Sequence, residues 1–159
     1  MTDWQRATLS ASIRNFTAKA LTGLIQASCP GFEVIIDPMH EDLDIGPLLT
    51  LIADDTRPKV FHAARQDMEI FNRLIGHPPG PIFDTQIAAM ALGIGDSISY
   101  DNLIQRVLKR HVDKSSQFTD WKRRPLTEKQ LTYAMGDVTH LRDAYIRMRE
   151  QLDGQGRYE

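Results

Sequence analysis

Apolar and polar residues repeat along this chain with two periods, short near the amino end and longer after residue 46. ATLSASI (7–13) sets Ala7, Leu9, Ala11 and Ile13 against Thr8, Ser10 and Ser12, a period of two that predicts a strand. LTGLIQAS (21–28) and FEVIID (32–37) predict a second and a third strand, joined by the turn residues Cys29, Pro30 and Gly31. A helix of about two turns follows over 47–53. KVFHA (59–63) reads as a short buried strand. ARQDMEIFNRLIG reads as a helix, with Gly76 suited to the position just past its end. Asp84 can cap a helix reaching about Gly93, and 99–110 forms another amphipathic helix.

The last helix is the best specified. Thr127 and Gln130 make a capping box, and Leu126 can staple onto Leu131. Leu131, Met135, Val138, Leu141, Tyr145, Met148 and Leu152 then recur every three or four residues and predict a core-facing stripe. Tyr133, Asp137 and His140 fall on a neighbouring stripe. Strands early and helices late predict an α/β layered fold.

Bulk numbers narrow the field. A chain of 159 residues, 42% hydrophobic and 25% charged, can bury one core. A net charge of −2 leaves any nucleic-acid binding to a local patch. One cysteine, Cys29, excludes an internal disulfide and a Cys-rich zinc site. No apolar run reaches membrane-spanning length, and the first 20 residues lack a signal-type apolar core. A cytoplasmic setting without membrane association is expected.

The candidate chemistry rests on a few side chains. Asp67 precedes Ile70 and Phe71 by three and four residues, so it projects from the apolar side of its helix. Spacing leaves it either a first-turn acid favoured by the helix dipole or a metal ligand. Tyr133 and Asp137 share a helix face, which suits either a solvated surface or a carboxylate with a phenol beside it. The segment 109–124 interleaves Phe118 and Trp121 with Lys109, Arg110, Lys114, Lys122, Arg123 and Arg124. That pattern fits a single-stranded backbone and its bases, or a solvated loop with Trp121 in the core. His62 ends a strand, where a buried histidine is more often satisfied by a neighbour than by a metal.

KVFHAARQDMEIF, PIFDTQIAAM and DKSSQFTDWKRRPLTEKQLTYAMGDVTHL, in that order, resemble the second, middle and third motifs of ribonuclease D, the tyrosine-type branch of the four-acid 3′–5′ exonucleases. The resemblance runs from about residue 21 to 150, so 21–152 is expected to be the nuclease domain and 1–20 an atypical segment. It implies an RNase H-like mixed sheet flanked by helices, two divalent cations (Mg²⁺ or Mn²⁺), and stepwise trimming of RNA 3′ ends such as those of tRNA precursors. Asp67 and Asp137 match the metal-binding acids, and Tyr133 matches the phenol that places the attacking water. His62, Lys114, Phe118, Trp121, Lys122, Arg123 and Arg124 are expected to bind substrate.

The family's first motif, Asp-x-Glu on the first strand, has no counterpart. Leu9 and Ala11 stand in its places, and Asp37 belongs to a later strand. A displaced reading frame or start over residues 1–20 would account for this. The helical domains that follow the nuclease in full-length relatives have no match here. The metal site is therefore expected to be incomplete and the enzyme impaired, and the rival reading is an inactive remnant that binds nucleic acid.

Overall fold

A computed structural model describes residues 16–21, 24–29, 31–38 and 40–158, the first of these segments as backbone only. Five strands, β1 (Phe16–Leu21), β2 (Leu24–Cys29), β3 (Phe32–Ile36), β4 (Lys59–Phe61) and β5 (Ile82–Asp84), form one sheet in the order β3-β2-β1-β4-β5. β1 and β2 pair antiparallel, as do β2 and β3, whereas β4 runs parallel to both β1 and β5. This is the mixed sheet expected. Five helices flank it: α1 (Gly46–Ala53), α2 (Arg65–Ile75), α3 (Thr85–Ala91), α4 (Tyr100–Leu108) and α5 (Glu128–Gly154). No described helix is long and apolar enough to cross a membrane.

The strand expected at 7–13 lies outside the described residues. The strand at the sheet's centre is 16–21, which the apolar pattern does not single out. Leu21, expected to begin the second strand, instead ends β1, where it pairs with Leu24.

β2 is buried on both faces and separates two cores. Ile25, Ala27 and Cys29 join Leu48 and Ile52 of α1 and Phe71 of α2. On the other face Leu24 packs with Trp121 and with Ala134 of α5. Arg142 of α5 donates to Ser28 Oγ at 3.3 Å, to the Cys29 carbonyl at 3.2 Å and to Glu33 Oε1 at 2.9 Å. α5 also covers β4, where Val60 meets Leu141 and Tyr145. Lys59 is fully buried at the start of β4, and its ammonium donates to the carbonyls of Asp54 and Gly80. Burial holds its pKa below the usual lysine range.

The helix ends obey their sequences. Gly76 takes φ +83° after α2 and its N–H returns to the Asn72 carbonyl. The Thr127 hydroxyl accepts from Gln130 N at 3.3 Å, and Gln130 Oε1 accepts from Thr127 N at 3.0 Å. Leu126 is not confined to a local staple; it joins Leu24, Trp121 and Ala134.

Candidate active site

Asp67 and Asp137 both face inwards, at 8% and 2% exposure. Each departs from the simple stripe reading. On α2 the buried face carries Asp67 and Phe71, while Ile70 and Leu74 are 45% and 47% exposed. On α5 the buried face begins with Gln130, Ala134 and Asp137 rather than with Leu131 and Met135. Small Ala134 lets the helix approach β2 closely. Gln130 is buried because its amide donates to Thr119 Oγ1 and to the Asp120 carbonyl, both at 3.1 Å. Asp137 thus lies on the core stripe itself, not on a solvated neighbour.

Tyr133 sits one turn before Asp137, half-buried, with its ring centroid 5.7 Å from that of Trp121. Its phenol is pushed up to about 12, first by burial and then by the charges of Asp137 and Asp113. Tyr100, at the start of α4, donates its hydroxyl to the Asp137 carbonyl. Its ring stands edge-on to His62, with centroids 5.7 Å apart. Burial and the charge of Asp137 keep Tyr100 protonated well above the ordinary phenol range. Tyr100 therefore bridges α5 to the end of β4, from which α2 carries Asp67. Nothing in SYDNLIQ marks that tyrosine, because the contact spans 37 residues. One turn beyond Asp137, His140 has its pKa lowered by burial and by Arg110.

The basic segment divides. Trp121 is buried against Leu24 and Ala134, so it serves the core and props Tyr133. Lys114 pairs with Asp101 at 2.6 Å. Arg124 pairs with Asp37 and also donates to the Trp121 carbonyl at 2.8 Å. Lys122 and Arg123 are exposed, and Phe118 is 92% exposed. The stacking ring and the outward cations are therefore three of the six residues of this segment expected to bind substrate.

Two buried carboxylates are few donors for a pair of hard cations. Among the described residues, no three of His, Cys, Asp and Glu gather closely enough to hold a metal ion. The central strand, FTAKAL, carries no carboxylate at all. The described residues alone do not fit a two-metal centre.

A family described as 3′-5′ exonuclease matches residues 10–153. Ribonuclease D of Bartonella henselae is 52% identical over 130 residues, covering 82% of this chain and 32% of that protein. Ribonuclease D of Nitrobacter hamburgensis is 48% identical over 145 residues, 91% of this chain and 38% of that protein. The chain thus spans about a third of the length of the curated relatives it matches. Among solved structures, Escherichia coli RNase D, described as an exoribonuclease involved in structured RNA processing, superposes with a TM-score of 0.85 at 29% identity, over 96% of this chain and 43% of that one. Brucella melitensis NrnC bound to pGG shares the fold, with a TM-score of 0.77 at 23% identity, over 92% of this chain and 76% of that one.

Proposed function

This chain belongs to the 3′–5′ exonuclease family and is of the ribonuclease D type, and on that premise we propose that it trims RNA 3′ ends one nucleotide at a time in the cytoplasm. Its substrates are tRNA precursors or other small RNAs, and it uses Mg²⁺ or Mn²⁺. The observation that carries this reading is the placement of Tyr133 and Asp137 one turn apart on α5, with Asp137 tied through Tyr100 to the β4 end that leads to Asp67. Divalent cations would supply Lewis-acid chemistry, polarising a water and the leaving oxygen. Asp67 and Asp137 are the acids that would face them. Tyr133 keeps its proton through neutral pH, so it orients a water by hydrogen bonding rather than acting as its base.

The test is a 3′-labelled single-stranded oligoribonucleotide incubated with Mn²⁺. Release of label as mononucleotide, abolished on chelation, is the expected result; internal cuts or no release would sink the reading. Tyr133→Phe keeps the ring against Trp121 and removes the hydroxyl. We expect kcat to fall roughly tenfold with little change in KM. No limb of the pH profile should belong to Tyr133 below about pH 10, because its phenol titrates near 12. The sign for stability is the reverse of an acid-lowered group. The unfolded phenol ionises near 10, so stability from this tyrosine is full below that pH and is lost as pH rises through 12. An alkaline limb moved by Tyr133→Phe within the neutral range would mean that the phenol acts as a base.

Phe118 offers a stacking face and Lys122 and Arg123 offer cations for phosphates. Replacing both cations with Ala should weaken binding alike for different RNA sequences. The slope of log K against log salt should shrink by about 0.7 for each phosphate no longer neutralised. An unchanged slope returns the pair to ordinary surface.

A second reading is favoured by the carboxylate-free central strand. In it the chain binds RNA 3′ ends but turns them over weakly or not at all.

A further inference from the structure

Two adjacent side chains at the end of β5 hold four consecutive residues at the end of β4. Asp84 Oδ1 accepts from Ala63 N at 3.0 Å, and Oδ2 accepts from Ala64 N at 2.8 Å. The same Oδ1 accepts from Gln86 N at 2.8 Å, the capping bond of α3. Thr85 is fully buried, and its hydroxyl donates to the Phe61 carbonyl at 3.1 Å. His62 Nδ1 lies 3.0 Å from that same hydroxyl oxygen. Phe61, His62, Ala63 and Ala64 are thus each fixed by one of two neighbouring residues.

The chemistry of the hydroxyl settles the proton on His62. Thr85 has one hydroxyl proton, and Phe61 receives it. His62 Nδ1 must then be the donor across the 3.0 Å contact, which leaves Nε2 of the neutral ring as the acceptor. The edge-on ring of Tyr100 fixes the imidazole from another side. The carboxylate has a matching task. Ala63 takes φ +54°, a left-handed conformation that a Cβ disfavours. The bonds from Ala63 N and Ala64 N to Asp84 hold that turn, and α2 starts at Arg65 directly after it. The turn sets the direction in which α2 leaves the sheet, and Asp67 is the third residue of that helix.

We propose that Asp84 and Thr85 are positioning residues of the exonuclease site, Thr85 setting the tautomer of His62 and Asp84 setting the turn that delivers Asp67. This rests on the exonuclease reading above. Neither residue is a candidate ligand or substrate contact, and both act through others.

The test pairs a spectroscopic readout with turnover, on the full chain. Long-range ¹H–¹⁵N spectra of the labelled protein, above the imidazole pKa, report which ring nitrogen of His62 carries the proton; His62→Asn assigns the signal. The parent and Thr85→Ser should show the Nδ1–H form. Thr85→Val, close to Thr in shape, should shift His62 towards the Nε2–H form. It should also lower kcat about tenfold, within the range usual for residues that orient a site, with KM changed less than about twofold. Asp84→Asn should lower kcat similarly while His62 keeps Nδ1–H. A Thr85→Val protein that retains Nδ1–H, or that changes tautomer with kcat intact, overturns the role of Thr85. An Asp84→Asn protein as active as the parent overturns that of Asp84. If the parent releases no nucleotide, the exonuclease reading falls, and the tautomer comparison alone decides whether the Thr85 clamp exists.

Discussion

Lys19→Asp combined with Leu21→Glu is expected to raise Mn²⁺-dependent release of 3′ nucleotides roughly 100-fold, the equivalent of about 3 kcal/mol from better-held cations. The position argument comes from register. On β1, Lys19 pairs with Gln26 and Leu21 with Leu24, and paired residues of an antiparallel ladder share a face. That face of β2 is the one under α5, since Leu24 packs on Ala134 and Ser28 takes Arg142. The parallel register of Phe16 with Lys59 and Thr17 with Val60 sets position 19 level with His62. The prediction is that acids at these register positions serve the same cations as Asp67 and Asp137. Four close carboxylates repel one another until cations arrive, so the variant should be less stable than the parent in chelator and regain stability with Mn²⁺. The control is Leu9→Asp with Ala11→Glu, the places of the missing motif by resemblance. It should gain nothing if the register of β1 decides where added acids act. The opposite result, a gain from the control pair alone, would overturn the register argument.

Trp121→Ala should lose about 3–5 kcal/mol of stability, the usual range for emptying a buried aromatic site. Trp121 is 7% exposed between Leu24, Ala134 and Tyr133. It also anchors the segment that carries Phe118, Lys122 and Arg123, so RNA affinity should fall along with stability. Trp121→Phe keeps part of the ring packing and should lose less on both counts. Urea unfolding followed by far-ultraviolet circular dichroism gives the first number, and RNA titration gives the second. A loss below about 1 kcal/mol for the alanine variant would make the segment a surface loop without a core anchor.

Where local chemistry decides, the sequence is readable. The capping box at Thr127, the left-handed Gly76 and the N-cap at Asp84 all stand where short-range patterns put them. Motif resemblance marks the metal-type acids and Tyr133, and the structure places the acids facing inwards. What is not legible needs three dimensions. β1 has small and polar residues in alternation and lies two residues from β2, so its apolar signal merges with that of the next strand. On α5 the larger residues Leu131 and Met135 suggest where the stripe begins, but Gln130, Ala134 and Asp137 are the residues buried there. Tyr100 and the second task of Asp84 depend on partners 37 and about 20 residues away. The basic run overstates the interface, because Lys114 and Arg124 meet acids that only folding brings near.

The sheet has a seam. β1, β2 and β3 are successive hairpin neighbours, and β4 and β5 are joined by the crossover through α2, so each half is assembled from nearby stretches of chain. The halves meet where Phe16 pairs with Lys59 and Thr17 with Val60, a short ladder closed over about 40 residues of intervening chain. α5 lies across that join, gripping Leu24 on one side and Val60 on the other. Asp67 and His62 belong to the second half, while Tyr133 and Asp137 ride on the helix that straps the two together. Contacts within each half are local and the join between them is long-range, so loop-closure entropy weighs on the join and not on the halves. During synthesis Asp67 is made long before Asp137, so the exonuclease site proposed here stays incomplete on a half-made chain.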